Sequence, residues 1–326
     1  LREGSITAIM TSNKKIAVIT PCLNESENVR DCYEAVRKVF ENDLPTYDFE
    51  HLFADNSSTD NTVEVLRELA SSDRRVKVII NSRNFGPFRS TFNALLNCSG
   101  DAVVVLLAAD LQDPPELIPE FVKKWEEGYQ VVFGERIRRE ENALLRGIRR
   151  AYYRTVSALA NIDIPPDVAE FQLVDRVVVE ALSRCEDHYP YIRGLIASCG
   201  FKSTGIPYTW RARKRGFTKN SLYNLVDQGL NGIISFTQVP LRICIFVGFL
   251  LAVLSIGYAF VQFAVNVLYY REFAPPGIAS LIVALFFFSG VQLFFLGILG
   301  EYIGAIHFQV RKRPLVVEKE RINFED

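Results

Sequence analysis

Four clusters of acidic, amide and hydroxyl residues punctuate the first third of the chain, each directly after a short apolar run. They are Thr20-Pro21-Cys22-Leu23-Asn24-Glu25-Ser26-Glu27-Asn28, Asp55-Asn56-Ser57-Ser58-Thr59-Asp60, Asn81-Ser82-Arg83-Asn84-Phe85-Gly86 and Ala109-Asp110-Leu111-Gln112-Asp113-Pro114-Pro115-Glu116. Carboxylates at the carboxyl ends of parallel strands sit where open α/β sheets bind ligands. Asp110 and Gln112 are two residues apart, so both oxygen-bearing side chains could reach one hard cation. The plain reading of Asp55 or Asp110 taken alone is helix capping or turn formation, since Asp commonly caps helices. Arginines follow: Arg136, Arg139 and Arg146 come after the fifth apolar run, and Trp210 to Lys219 is the most basic stretch, carrying Arg213 and Lys219. Guanidinium groups suit bidentate phosphate binding. The basic stretch fits equally well with general attraction to anionic lipid headgroups.

The elements that must position these residues alternate. Lys15 to Pro21, Phe49 to Ala54, Val76 to Ile80, Val103 to Ala109 and Val131 to Gly134 read as strands. Helices are expected between them, ending near Phe40, following Thr59 or Asp60, ending near Leu96, and spanning Leu117 to Glu127, with Asn24 or Ser26 capping the first. Strand-helix alternation argues for a mostly parallel, Rossmann-like α/β sheet. Val103 to Ala109 is a continuous apolar run, as in a strand buried on both faces. Glu135 to Glu141 reads as a charged loop, Ile162 to Glu170 as a proline-containing loop, Phe171 to Cys185 as strand then helix, and Gly205 to Tyr208 as a further strand.

The chain has 326 residues with a formal net charge of −1, so no global field points to nucleic acid. Six cysteines contain no CxxC pair and three histidines do not cluster, which argues against a disulfide framework or a zinc site. Residues 1–13 are expected to be a disordered lead-in or an expression remnant, with no signal-peptide pattern. The soluble domain is expected over 14–220 and an interfacial amphipathic helix over 221–237, where Leu222, Leu225, Val226, Leu230, Ile233 and Ile234 share one face. A two-helix transmembrane hairpin is expected over 238–305, with spans at 241–268 and 278–302, and a tail over 306–326. Ile243 to Tyr270 and Phe273 to Gly300 carry no charge, and each exceeds the roughly 20 apolar residues that span a bilayer. Basic residues crowd the outer ends of the hairpin, which places both termini and the α/β domain in the cytoplasm. The charged tail after Arg313 is expected to lie along the domain or the lipid surface.

The four clusters, in this order and followed by a hairpin, resemble the successive motifs of family 2 glycosyltransferases with a GT-A fold. The pattern is most similar to the polyisoprenyl-phosphate glycosyltransferases, which include bactoprenol glucosyltransferases of the GtrB type and dolichyl-phosphate mannose synthases. The resemblance covers nearly the whole chain. It implies that Pro21, Leu23, Glu25 and Asp55 line the nucleotide, and that Asp110 and Gln112 hold a Mg²⁺ or Mn²⁺ bridging the diphosphate. It implies that Arg136, Arg139, Arg146, Arg213 and Lys219 meet the acceptor phosphate, that Arg193-Gly194 is another family position, and that Asp167 or Glu170 steers the acceptor. The implied partners are a nucleotide sugar, with UDP-glucose the favoured one, a polyprenyl phosphate and the membrane; homo-oligomers are compatible with the pattern. The implied reaction is inverting hexose transfer, with Asp110, Asp167 and Glu170 as catalytic candidates.

One departure stands out. Where many relatives have Asp-Ala-Asp, this chain has Ala108-Ala109-Asp110. Either the cation is held more weakly, or another group such as Asp113 compensates, or the site binds without turning over. Two rival functions follow. A processive polysaccharide synthase would be expected to carry a Gln-x-x-Arg-Trp motif and more spans, and this chain has neither. A non-catalytic membrane scaffold or sugar-nucleotide sensor is the rival that Ala108 suggests.

Overall fold

The computed structural model describes residues 14–138, 168–185, 187, 190–211, several positions between 241 and 261, 278–311 and 313–324. The expected interfacial helix at 221–237 lies outside these residues, as do residues 1–13 and most of the first expected span.

The strands form because apolar, often β-branched runs are followed by polar turns. β1 (Lys15–Cys22), β2 (Asp48–Asp55), β3 (Val76–Asn81) and β4 (Ala102–Val105) pair in parallel, with β1 between β2 and β4. Helices α1 (Val29–Asn42), α2 (Thr62–Ser72) and α3 (Pro87–Asn97) connect them. In α1 the buried Val29, Cys32, Tyr33, Val36, Val39 and Phe40 recur at helical spacing, so one face packs on the sheet. After β4 come a 3-10 turn (Pro115–Leu117), α4 (Ile118–Glu126), β5 (Val131–Arg138), β6 (Val168–Asp175), α5 (Arg176–Ser183), α6 (Ile192–Ser198) and β7 (Ser203–Thr209).

With a last strand, β8 (Glu318–Ile322), the eight strands lie in the order β7-β5-β6-β4-β1-β2-β3-β8. β6 runs antiparallel to both neighbours, and β8 antiparallel to β3; all other pairs are parallel. This is the mostly parallel α/β sheet that the strand-helix alternation implies. Two of its strands reach further than expected. β5 continues to Arg138, so Glu135 and Arg136 stand on a strand rather than in a charged loop. β6 begins at Val168, so Glu170 stands on a strand as well. β4 is shorter than its apolar run: Leu106 takes φ 56°, which turns the chain out of the sheet, and its successor Leu107 donates its N–H to the Ile19 carbonyl at 2.9 Å.

The C-terminal segment is part of the same sheet. β8 (Glu318–Ile322) pairs with β3, the Ser82 N–H donates to the Val317 carbonyl at 2.8 Å, and Asn323 donates to the Ala70 and Val76 carbonyls at 2.7 and 2.9 Å. The tail thus becomes an edge strand, and it forms one compact unit with the sheet. A second unit contains α7 (Ile278–Val310). Its 33 residues rise by roughly 50 Å at 1.5 Å per residue, which exceeds a hydrocarbon core of about 30 Å. Within it Phe287–His307 is long and apolar enough to cross a membrane and is nowhere buried, unlike the core helix of a soluble domain.

Candidate active site

The carboxyl ends of β1 and β2 are stitched together. Cys22 and Asp55 are register partners, so the loops after them leave the sheet side by side. Asn24, at φ 55°, donates its N–H to Ser58 Oγ at 2.9 Å and accepts the Thr59 N–H on Oδ1 at 2.7 Å. The Glu25 N–H donates to Thr62 Oγ1 at 2.9 Å. Neither Asn24 nor Ser26 caps α1; the cap position falls on Asn28, whose side-chain amide donates to Glu25 at 2.6 Å. Asp55 is fully buried and accepts the Ser58 N–H at 3.0 Å together with the Ser58 hydroxyl. Burial pushes its carboxyl up, and the Ser58 bonds oppose that. The loops after β1 and β2 therefore form one polar rim, with Glu25 and Asp55 tied into it.

The loop after β3 joins this rim. Asn81 donates to Asn56 Oδ1 at 3.1 Å and to Ser90 Oγ at 3.0 Å, and Asn56 donates to the Gly86 carbonyl at 3.3 Å. Gly86 stands at φ 89°, a left-handed conformation that leads into Pro87 at the start of α3. Among the described residues, Asn81 Oδ1 is buried without a hydrogen-bond partner.

The loop after β4 carries Asp110. This carboxylate is buried at 8 % exposure and accepts the Gln112 N–H on Oδ1 at 3.1 Å. Leu111 beside it takes φ 55°, a second left-handed residue five positions after Leu106. Asp110 and Leu111 line a cleft with Asn28, Asp31 and Lys38 of the α1 region. Among the described residues, no three His, Cys, Asp or Glu side chains gather into a metal-holding group. A hard cation at Asp110 would therefore have to arrive with ligands of its own. Mg²⁺ accepts one or two carboxylates plus substrate phosphates and water.

Asp113 does not compensate for Ala108. It is buried and engaged elsewhere: Arg136 Nη2 donates to its two oxygens at 3.1 and 3.3 Å, and the Tyr208 hydroxyl donates to Oδ1. Arg136 Nε in turn donates to the Tyr208 oxygen at 2.9 Å, and its guanidinium lies 5.1 Å from the Trp210 ring centre. Burial, followed by the neighbouring Asp113, raises the Tyr208 phenol, which keeps it protonated as a donor. Beside this group, Glu170 lies 3.9 Å from Arg193, and Arg193 donates to the Val168 carbonyl at 2.7 Å. Loss of hydration raises the Glu170 carboxyl, against the pull of Arg193 and Arg136. The Arg211 N–H donates to the Gln112 carbonyl at 3.0 Å, tying the segment after β7 to the Asp110 loop. Tyr208 carried no motif signal in the sequence; only the β5-β7 register, which sets Arg136 beside Tyr208, brings it to the site. Asp167, Arg139, Arg146, Arg213 and Lys219 lie outside the described residues.

A mostly parallel sheet with an acidic loop after β4, a polar rim after β1 and β2, and a half-buried arginine on β5 fits the sugar-transferring domain that the sequence motifs imply. The comparisons agree. The model of "Glycosyl transferase family 2" matches residues 17–183, and that of the "GtrB C-terminal hairpin" matches residues 239–306. The chain belongs to glycosyltransferase family 2. It is 35 % identical to the glycosyltransferase YkcC of Bacillus subtilis, over 97 % of each chain. It is 33 % identical to a bactoprenol glucosyl transferase of Shigella phage SfII, over 94 % of this chain and 98 % of the relative. Among solved structures, the glucosyl-3-phosphoglycerate synthase of Mycobacterium tuberculosis covers 68 % of this chain and 78 % of its own at 19 % identity, with a TM-score of 0.44.

Proposed function

We propose that this protein transfers a glucosyl group from UDP-glucose to a polyprenyl phosphate at the cytoplasmic face of a membrane, with inversion at the anomeric carbon. The observation that carries the reading is the near-full-length similarity to a bactoprenol glucosyl transferase, with the hairpin included. In the reaction, a phosphate oxygen of the lipid attacks the anomeric carbon as the bond from that carbon to the UDP oxygen breaks. A phosphate is already an oxyanion near neutral pH, so alignment and charge stabilisation matter more than a general base. Pro21, Leu23, Glu25 and Asp55 line the nucleotide end, and the Asp110 loop faces the diphosphate. Asp110 and Gln112 would hold Mg²⁺ or Mn²⁺, whose charge offsets that of the departing diphosphate. Arg136 faces the acceptor phosphate, joined by Arg139, Arg146, Arg213 and Lys219, and Glu170 or Asp167 steers the acceptor.

The path of the chain supports a membrane arrangement. β7 and β8 belong to one sheet, and a chain that leaves a domain and rejoins it on the same side of a membrane crosses that membrane an even number of times. A two-span hairpin with both ends cytoplasmic satisfies this.

The test incubates the full chain with labelled UDP-glucose, polyprenyl phosphate and Mg²⁺ or Mn²⁺. The expected product is a lipid-linked monosaccharide. A long polymer would favour a synthase, and no lipid-linked sugar from any common nucleotide sugar would favour a sensor. Asp110→Ala is expected to lower turnover on the order of 100-fold or more. Unchanged turnover and metal response would remove Asp110 from the site. Arg136→Ala is expected to raise KM for the lipid phosphate while leaving UDP affinity in place.

A further inference from the structure

We propose that Tyr208 and Asp113 are positioning residues that set the orientation of Arg136 toward the acceptor phosphate. The inference rests on the acceptor role proposed above for Arg136. On parallel strands β5 and β7, Arg136 and Tyr208 are register partners. The guanidinium is held on three sides: Nε by the Tyr208 oxygen at 2.9 Å, Nη2 by Asp113 at 3.1 and 3.3 Å, and one face by Trp210 at 5.1 Å. Among the described residues, Nη1 is not engaged. A long side chain fixed in this way has lost its rotamer freedom before the acceptor arrives, so the ordering cost does not fall on binding.

The seat for Tyr208 is built into the backbone. A Cβ at Gly134 would stand 2.6 Å from Tyr208 Cε1, so the ring requires bare backbone at that position. The Tyr208 hydroxyl closes the triangle by donating to Asp113 while accepting from Arg136. Asp113 lies three residues beyond Asp110 on the same loop. The triangle therefore ties the acceptor arginine to the loop that faces the diphosphate, and the bond from Arg211 to Gln112 ties it a second time. The carboxylate has a further effect: it offsets the guanidinium charge, so the contribution of Arg136 depends on geometry more than on net charge.

The test measures KM for polyprenyl phosphate and for UDP-glucose separately, using the full chain as wild type, Tyr208→Phe, Asp113→Asn, Arg136→Ala and the Tyr208→Phe/Arg136→Ala double variant. Tyr208→Phe keeps the ring and removes only the hydroxyl. It is expected to raise the acceptor KM about tenfold, the scale of one lost hydrogen bond to a charged group, with the donor KM unchanged. Asp113→Asn is expected to change the same constant in the same direction. Because Tyr208 acts through Arg136, the double variant should be no worse than Arg136→Ala alone. Full additivity, an equal rise in both constants, or wild-type constants in both Tyr208→Phe and Asp113→Asn would overturn the proposal. An inactive wild type would instead sink the proposed function. An active wild type with an acceptor-selective Arg136→Ala but silent Tyr208→Phe and Asp113→Asn would sink this inference alone.

Discussion

Ala108 stands where many relatives carry a carboxylate, and in the proposed site Asp113 does not replace it, being held by Arg136 and Tyr208. A cation at Asp110 must then draw most of its ligands from the nucleotide and water. Mn²⁺ titration of the full chain is expected to give weak binding alone and roughly tenfold tighter binding with UDP, since ligand charge count sets affinity. Ala108→Asp should narrow that gap by raising nucleotide-free affinity; equal affinity in wild type with and without UDP would contradict the assignment. A second residue, His51, sets a pH response unrelated to catalysis. It is fully buried against Thr20 at 2.9 Å, and burial lowers it to about 3 from an ordinary value of 6.5. The unfolded chain takes up a proton below 6.5 while the folded one does not. Stability is therefore full above 6.5 and falls by about 1.4 kcal/mol per pH unit toward the folded value. Between pH 7 and 5 the melting temperature of the wild type should fall more steeply than that of His51→Gln, and parallel curves would show that His51 does not set the slope. Glu50 acts lower. Burial would raise it, but Lys77, Ser99 and Lys15 outweigh that and bring it to about 2, so its contribution is lost only as pH falls from 4.5 through that value.

Among the elements, β1 to β4 and their helices were legible because each combines an apolar run with a polar stop. β8 was not, because Glu318-Lys319-Glu320-Arg321-Ile322 has the alternating charge of a solvated tail and becomes a strand only through pairing with β3. The same limit hid the reach of β5, whose last residues Glu135 to Arg138 look like loop until β7 lies beside them. It also hid the end of β4, where Leu106 leaves the sheet inside an unbroken apolar run. At the site, Asp55 and Asp110 were visible as chemistry-bearing residues at strand ends, whereas Tyr208 was invisible because its partner Asp113 lies 95 residues away in the chain. Removal of residues 314–326 is expected to lower the melting temperature and to promote self-association. It uncovers the β3 edge, and exposed edges pair with other chains. The ion pair between Arg67 and Glu320 at 2.6 Å is exposed and should contribute little by itself. Arg67→Ala should therefore melt close to wild type, whereas a loss as large as that of the truncation would place the stabilisation in the ion pair rather than in strand pairing.

At the scale of the whole molecule, the chain leaves the sheet, passes through a long apolar stretch and returns to the same sheet. Reporter fusions are expected to place the C-terminus on the same side as the sheet domain and residues 271–277 on the opposite side. A C-terminus on the opposite side from the domain would break the two-span arrangement. The return of β8 also bears on the order of events at the ribosome. The chain emerges from its N-terminus, so β3 is made long before β8, and Arg67 waits for a partner 253 residues downstream. Until the hairpin has been synthesised, the nascent sheet has an open edge at β3. The domain therefore becomes complete only after the hairpin has been made, and in the proposed membrane arrangement this makes insertion a step in the maturation of the enzyme rather than an event that follows it.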